Sequence, residues 1–274
     1  DTGDVRTYRA SADIEGSVAS DGIMSLYVDQ DGTLWVGTFG GGVDRFDAKN
    51  ERFTNFRHDP EDPTSLSNSR ATAMVSDRSG RLWVGTAGGG LNRRAGSGLA
   101  WEHVDLSVES SAASSVTVSA LHLDAKGRLW VGTREGLYRF DRPNQPIESL
   151  TYRRYDTLSG LADDSIYGIR SDAANRVWLS TNRGLSVLDP HTDEIVNHSI
   201  SDGLQGAEFN FGAHYMLADG RLAFGGANGF NLFDPMRLAI NTVPPAVALT
   251  GLDLLNQPIR EDGVYDQVDS LELS

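Results

Sequence analysis

The phrase Leu34-Trp35-Val36-Gly37-Thr38 decides the fold of this chain, because it returns four times at a nearly constant interval. Two copies are identical, Leu82-Trp83-Val84-Gly85-Thr86 and Leu129-Trp130-Val131-Gly132-Thr133. A weaker copy is Val177-Trp178-Leu179-Ser180-Thr181, and a fifth has Phe as its aromatic residue in place of Trp, Leu222-Ala223-Phe224-Gly225-Gly226. The aromatic residues follow one another after 48, 47, 48 and 46 residues. Such a period identifies five structural repeats.

Each repeat has the pattern of four short strands. An apolar run precedes a turn such as Asp124-Ala125-Lys126-Gly127, in which Asp can bind backbone N–H groups and Gly can take a positive φ. The Trp strand follows, then a Gly-rich turn, a third strand and a more charged fourth strand, which is typical of a sheet edge. Four strands in about 47 residues match one propeller blade. We therefore predict an all-β fold, a β-propeller of four-stranded blades.

The repeats also predict how the chain is divided. Residues 1–241 are predicted to form the propeller, and residues 5–10 resemble the outer strand of a preceding blade. Either that strand adds to the edge of the fifth repeat and closes a five-bladed ring, or the blades form part of a larger ring. Both ends of the chain are expected to lie inside a longer protein. The five blade cores are predicted near residues 23–59, 70–106, 118–156, 165–200 and 209–240.

Composition excludes several classes of function. The 274 residues include 24 Lys and Arg but 38 Asp and Glu, which gives a formal net charge of −14. This charge disfavours binding to nucleic acid or to an anionic membrane surface. The chain has no Cys, so it can form neither a disulfide nor a thiolate metal site. No apolar run approaches the roughly 18 residues that a membrane-spanning helix needs.

Further motifs place the repeats in a family. The Trp phrase, the Asp-x-x-Gly turn before it, and the later Arg45-Phe46-Asp47 and Arg139-Phe140-Asp141 resemble the two-component regulator propeller repeat over about residues 4–235. Glu208-Phe209-Asn210 and the run from Phe224 to Pro235 are similar to the final blade of that family. Pro244-Pro245-Ala246-Val247 and the residues after it resemble the start of a Y_Y_Y domain, an immunoglobulin-like sandwich.

The resemblance implies a location and a role. Proteins of this family usually have seven-bladed propellers in the periplasmic part of bacterial membrane receptors, so residues 242–274 are expected to begin a truncated Y_Y_Y domain. The implied function is noncatalytic ligand sensing, with the signal passed to cytoplasmic output domains such as a histidine kinase or diguanylate cyclase. The implied partners are a small-molecule or oligosaccharide ligand and a second receptor copy in a homodimer. No cofactor, nucleic acid or direct membrane contact is expected.

An enzyme is the main alternative, because some propellers cleave carbohydrates. A glycosidase needs two carboxylates that face each other across one site. Here the acidic residues mostly recur in register, as Asp29, Asp77, Asp124 and Asp172 do, which indicates a structural role. The chain has no Gly-x-Ser-x-Gly or His-Glu-x-x-His motif, and its six His show no metal-ligand spacing. A scaffold or dimerisation propeller is the third possibility.

A binding site should use residues that differ among the repeats. The turns between the second and third strands and the loops that lead into each blade are expected to share one face of a propeller. Their side chains combine guanidinium, carboxylate, amide and one aromatic group, which suits hydroxyl-rich or carboxylate-bearing ligands. Residues Trp35, Trp83, Trp130, Trp178 and Phe224 are instead predicted to fill the blade core. The candidate ligand-binding residues are Phe39, Arg70, Arg134, Glu135, Asp163, Asp164, Asn182, Arg183, Glu208, Asn210 and Asn228.

Overall fold

The computed structural model describes residue 3, residues 5–96, 98–106 and 116–238, and the backbone of residues 253–254 and 257–258. The chain separates into two compact units, Asp1–Met236 and Arg237–Ser274. In the second unit, Asp253–Leu254 pairs antiparallel with Gln257–Pro258. The rest of the predicted Y_Y_Y segment, residues 242–274, lies outside the described residues. That part of the chain organisation stays a prediction.

The first unit is a β-propeller, as the repeats predict. It contains five antiparallel sheets whose strands are paired in chain order, four with four strands and a fifth with three. The blades are β1–β4 (Ile23–Val28, Leu34–Thr38, Gly42–Asp47, Arg52–Phe56), β5–β8 (Ala71–Ser76, Leu82–Thr86, Gly90–Arg94, Trp101–Val104), β9–β12 (Val118–Leu123, Leu129–Thr133, Leu137–Phe140, Arg153–Tyr155), β13–β16 (Gly168–Ser171, Val177–Thr181, Gly184–Leu188, Ile195–His198) and β17–β19 (Phe209–Met216, Leu222–Gly226, Gly229–Phe233).

The inner strands β1, β5, β9, β13 and β17 line a central channel, and each of the first four contacts the inner strand of the next blade. Short 3-10 helices at Ile147–Ser149, Thr157–Ser159 and Ile200–Asp202 lie in the loops. The all-β propeller with five blade cores is therefore confirmed. The number of blades in a complete ring stays a prediction.

The aromatic residue of each repeat lies between neighbouring blades. Trp83, Trp130 and Trp178 are at most 1% exposed. The Trp83 ring centroid is 6.3 Å from that of Phe140 in the third blade, and the Trp178 centroid is 5.0 Å from that of Phe233 in the fifth. These rings join adjacent sheets and bury large apolar areas, which is the main source of stability in such a core.

In the second, third and fourth blades, the Asp of the turn holds the Trp of the same blade. The Oδ2 atoms of Asp124 and Asp172 each accept a hydrogen bond of 2.9 Å from the indole Nε1 of Trp130 and Trp178, respectively. The second blade has the same bond at 3.2 Å, from Trp83 to Asp77. An Arg four residues after the Asp adds an ion pair in the same three blades. This turn therefore also orients the indole ring that packs between the blades.

The first blade departs from this arrangement. Thr33 stands where the second, third and fourth blades have Arg, and the Nε1 atom of Trp35 is buried without a hydrogen-bond partner among the residues that the structure describes. The guanidinium carbon of Arg94, from the second blade, lies 5.1 Å from the Trp35 ring centroid. A cation over an indole face is favourable, but it leaves the N–H group of Trp35 unpaired.

Glycine in the repeated phrase allows the blades to approach closely. A β-carbon placed on Gly132 would lie only 2.8 Å from Cγ2 of Ile166 in the fourth blade. In the fourth blade the glycine lies on the neighbouring strand. Ser180 occupies the Gly position of the phrase, and its cross-strand partner is Gly168. The space that a β-carbon at Gly168 would need is occupied by the ring of His214, whose Cδ2 would be 2.5 Å away.

The segment Val5–Arg9 contains no ladder residue, and β19 pairs with β18 alone within the described ranges. The segment lies instead on the first blade, where the Tyr8 ring makes edge contacts with Phe46 and Phe53 at centroid distances of 5.1 and 5.5 Å. The first and fifth blades also carry exposed apolar side chains, including Leu26 and Phe230. Among the described residues, the fifth blade thus keeps three strands.

Candidate functional site

One face of the propeller, which we call the mouth, is formed by two sets of segments. These are the 2–3 turns, which join the second and third strands of each blade, and the incoming loops, which lead from one blade to the next. The backbone N–H groups of Gly42, Gly90, Gly136 and Gly184 each donate to a carbonyl oxygen of the following incoming loop, at 2.8–2.9 Å. The same bond thus recurs at four junctions between blades.

The threonine of each repeated phrase fixes the 2–3 turn from inside. The hydroxyl groups of Thr38, Thr86, Thr133 and Thr181 are buried and donate to the carbonyl oxygen of the glycine that ends each turn, at 2.8–3.0 Å. Both sets of bonds satisfy backbone groups that would otherwise need water. The mouth is therefore a braced surface on which the side chains at the turn tips can vary.

The first candidate residues at the mouth lie where the first two blades meet. Phe39 is 58% exposed, and the guanidinium carbon of Arg70 lies 5.3 Å from its ring centroid. The backbones of these two residues also form an isolated antiparallel bridge. An exposed aromatic ring backed by a guanidinium group is a surface on which a ring of a ligand can stack.

The next candidates surround the junction of the third and fourth blades. Arg134 is exposed and Glu135 is partly buried, and the side chain of Arg154 donates to the Glu135 carbonyl oxygen at 2.7 and 3.0 Å. The carboxylate of Asp164 accepts from the backbone N–H of Thr157 at 2.7 Å. Asp163 similarly accepts from Ser165 at 2.9 Å. Both aspartates therefore stabilise their own loop.

The remaining candidates lie in the fourth and fifth blades. Asn182 is partly buried, whereas Arg183, Glu208, Asn210 and Asn228 are exposed. The loop that carries Asn228 is held by a hydrogen bond from its backbone N–H to Oε1 of Gln205, at 2.9 Å. The structure brings candidate residues together in small groups at the junctions between blades. Their role in binding stays a prediction.

The central channel contains residues that the sequence analysis did not select. Its cavity of about 520 Å³ is lined by all five inner strands and by none of the candidate residues above. In the first four blades, one inner-strand residue pairs with the Trp of the same blade, whereas in the fifth blade His214 pairs with Phe224, which stands one position later in its phrase. These five residues all line the cavity, and we call them the channel layer: Tyr27, Val75, His122, Arg170 and His214.

The channel layer is basic on one side. His122 Nε2 lies 2.7 Å from Oγ of Ser171, and the guanidinium of Arg170 donates to the backbone carbonyl of His214 at 3.4 Å. Burial and the nearby Arg170 charge lower the pKa of His122 to about 4 and that of His214 to about 3. Both imidazole rings are therefore neutral at pH 7, and Arg170 carries the positive charge.

Among the described residues, no group of three or more His, Asp or Glu side chains is arranged to hold a metal ion. Within the same ranges, no helix is long and apolar enough to cross a bilayer.

Comparison with known proteins identifies the repeats. A family model described as "Two component regulator propeller" matches residues 17–40, 65–88 and 112–135. Three segments of the chain therefore match the two-component regulator propeller repeat. Each match runs from an incoming loop through an inner strand and the Trp strand to the 2–3 turn, so the family model covers the mouth and the channel wall of the first three blades.

The chain is also similar to a curated protein and to solved structures. It is 26% identical to the histidine kinase P4 of Formosa agariphila over 264 residues, which is 94% of this chain and 19% of that protein. The chain therefore spans about a fifth of its curated relative.

The solved structures show the fold. One is described as the extracellular domain of a hybrid two component system from B. thetaiotaomicron, with a TM-score of 0.61, 21% identity, and coverage of 89% of this chain and 39% of that one. Another, described as the extracellular domain of a one component system of that bacterium, has a TM-score of 0.65 and 22% identity. It covers 78% of this chain and 30% of that chain.

Proposed function

We propose that this propeller is a noncatalytic ligand-sensing module in the periplasmic part of a bacterial two-component membrane receptor. The observation that carries the proposal is the similarity to a histidine kinase over 94% of this chain but only 19% of that protein. Such a small share of the relative's length is expected if the chain corresponds to a sensor segment and the output domains lie elsewhere in the protein. The likeness to solved extracellular domains supports the same assignment.

The mouth is the surface that we propose for ligand binding. Hydrogen bonds between successive blades hold its backbone, so the side chains at its tips are presented on a firm base. Preorganised groups lose less entropy when a ligand binds. The exposed Phe39 ring with Arg70 beside it, and the charged and amide groups further round the mouth, suit an oligosaccharide, which needs both stacking and hydrogen bonds.

Ligand binding would act on the rest of the receptor through the segment that follows the propeller. In this proposal the ligand stabilises one relation between the propeller and the predicted Y_Y_Y domain of residues 242–274, and a dimer of receptors transmits that state to the output domains. A ligand can shift such an equilibrium only by its difference in affinity for the two states.

A thermal-shift screen with the purified chain tests the assignment. Neutral and acidic oligosaccharides are added at millimolar concentration, because a ligand that binds only the native state must raise the unfolding temperature. Any sugar that raises it is retested on Arg70→Ala and Phe39→Ala, with Arg221→Ala as the control, since Arg221 is exposed and pairs with Asp219 at 2.8 Å, outside the mouth.

The expected result is a shift that the two mouth variants lose and the control keeps. Recovery of the sugar unchanged after prolonged incubation supports a noncatalytic role, whereas cleavage products would establish the enzyme alternative. If no class of sugar shifts the unfolding temperature, carbohydrate sensing by this propeller is wrong.

A further inference from the structure

The guanidinium group of Arg170 is an unusual charge for this protein. Among the described residues its Nε atom is buried without a hydrogen-bond partner, and its guanidinium donates only the long hydrogen bond of 3.4 Å to the His214 carbonyl oxygen. No carboxylate of the described residues lies within 4.0 Å of it, although the chain has 38 acidic residues. A buried cation without a counter-charge is costly, so such groups are normally paired.

The neighbours of Arg170 in the channel layer offer donors and no negative charge. Burial of the Arg170 side chain itself lowers its pKa. His214 Nδ1 is buried without a partner among the described residues, and His122 contacts Ser171 through Nε2. On the opposite side of the layer, the hydroxyl oxygen of Tyr27 accepts from the backbone N–H of Ser76 at 2.9 Å. The layer therefore surrounds its charge with groups that can donate hydrogen bonds.

The repeat sequence differs in the fourth blade, and this difference makes room for the basic side of the channel layer. The three preceding blades have Ser25, Ala73 or Ala120 opposite the Gly of the phrase, but the fourth blade has Gly168 there. The absence of a side chain at Gly168 leaves room for the ring of His214 from the fifth blade. The same two blades supply Arg170 and His214, so the local departure from the repeat is what assembles the basic side of the layer.

We propose that the central channel binds a small oxyanion group at Arg170, between the rings of His122 and His214. A guanidinium group binds the two oxygens of a carboxylate, phosphate or sulfate by a pair of parallel hydrogen bonds. The cavity of about 520 Å³ is large enough to hold either an inorganic oxyanion or the acidic end of a small organic molecule. This proposal does not depend on ligand binding at the mouth.

Calorimetric titration of the intact chain tests the proposal directly. Sodium phosphate, sulfate, acetate and glucuronate are titrated separately at constant ionic strength, with chloride as the reference anion. The first two are the free inorganic ions and the last two represent the acid group of an organic ligand. We expect saturable binding of at least one oxyanion, at least tenfold weaker in Arg170→Gln and unchanged in Arg221→Gln, which removes an exposed guanidinium outside the channel.

Two readouts keep the test decisive. Removal of an unpaired charge should leave the Arg170→Gln variant at least as stable as the original chain when oxyanions are absent. If that variant does not fold, NMR of the original chain replaces it: an oxyanion at this site should raise the pKa of the His122 and His214 rings and leave the chemical shifts of the surface residue His191 unchanged. Equal binding by Arg170→Gln, or no binding above chloride by any of the four anions, would overturn the proposal.

Discussion

Replacement of Asp124 by Ala should destabilise the protein strongly, because this carboxylate satisfies four donors. Oδ2 accepts from Trp130 Nε1 at 2.9 Å and from Arg128 Nε at 2.6 Å, and Oδ1 accepts from the backbone N–H groups of Lys126 and Arg128 at 2.9 and 3.0 Å. Trp130 is 0% exposed, Asp124 4% and Arg128 9%. The substitution therefore leaves an indole N–H and a guanidinium buried without their acceptor.

The size of the effect follows from the two buried donors. A buried neutral donor without a partner costs about 1–3 kcal/mol, and breaking a buried ion pair by removing one partner costs about 3–5 kcal/mol. The two losses share one carboxylate and are not additive. We therefore expect the Asp124→Ala substitution to lower the free energy of unfolding by about 3–5 kcal/mol. Asp124→Asn, which keeps one acceptor oxygen, should lose less.

The first blade supplies a matched control for this prediction. Asp29 occupies the same turn position. Among the described residues, its carboxylate accepts a hydrogen bond only from the backbone N–H of Gln30, at 2.7 Å. Since Trp35 Nε1 makes no bond to it, Asp29→Ala should cost less than about 1 kcal/mol. Urea unfolding followed by tryptophan fluorescence measures both variants. Equal losses in the two variants would refute the reasoning that the Asp–Trp bond carries the effect.

Three further substitutions or conditions give measurable outcomes. Gly132→Ala should lower the urea midpoint and cost about 1–3 kcal/mol, because its new methyl group would overlap Ile166. The pKa values of His122 and His214 are lowered in the folded state, to about 4 and about 3. The unfolded chain therefore binds more protons than the folded chain below pH 6.5. The free energy of unfolding should fall by about 1 kcal/mol per ring between pH 7 and 5.5. Asn175→Gly should stabilise the chain by about 0.5–1 kcal/mol in the same assay, since Asn175 has a φ of 65° and a buried amide without partners.

Each of these outcomes can be contradicted. Gly225→Ala is the control for the glycine substitution, because its β-carbon would lie 3.2 Å from that of Ala213 and needs only a small shift. A loss equal to that of Gly132→Ala would argue against the close contact. The titration would be contradicted if the free energy of unfolding is the same at pH 7 and 5.5. It would also be contradicted if the loss between these pH values is as large in the His122→Phe and His214→Phe variants as in the original chain. Destabilisation by Asn175→Gly would show that the amide has a stabilising role.

The sequence predicted the blades because their pattern is local. An Asp turn, an aromatic strand and a Gly turn follow one another within about 15 residues in each repeat. The interval of six residues between the Asp and the Trp is constant, as in Asp124 and Trp130, and it contained the signal for the hydrogen bond between them. Thr33 stands in the Arg position of the first blade, but its consequence for Trp35 was found only in the structure.

The channel layer could not be predicted in the same way. His122 and Arg170 are 48 residues apart and follow the period, but His214 comes 44 residues after Arg170. Arg170 pairs with Trp178, the second residue of its phrase, whereas His214 pairs with Phe224, the third residue of its phrase. The repeat period therefore did not indicate that His214 joins this layer. At the mouth, the sequence predicted the segments that meet, whereas their contacts depended on the packing between blades.

The exchange of small residues between Gly168 and Ser180 limits how the blades can be rearranged. Repeat units are often treated as interchangeable modules, yet a copy of the third blade placed in the fourth position would bring a side chain equivalent to Ala120 into the volume of the His214 ring. A designer who wishes to shuffle or average these units must therefore transfer the fourth and fifth blades together. At this end of the propeller, the fourth and fifth blades therefore form one structural unit.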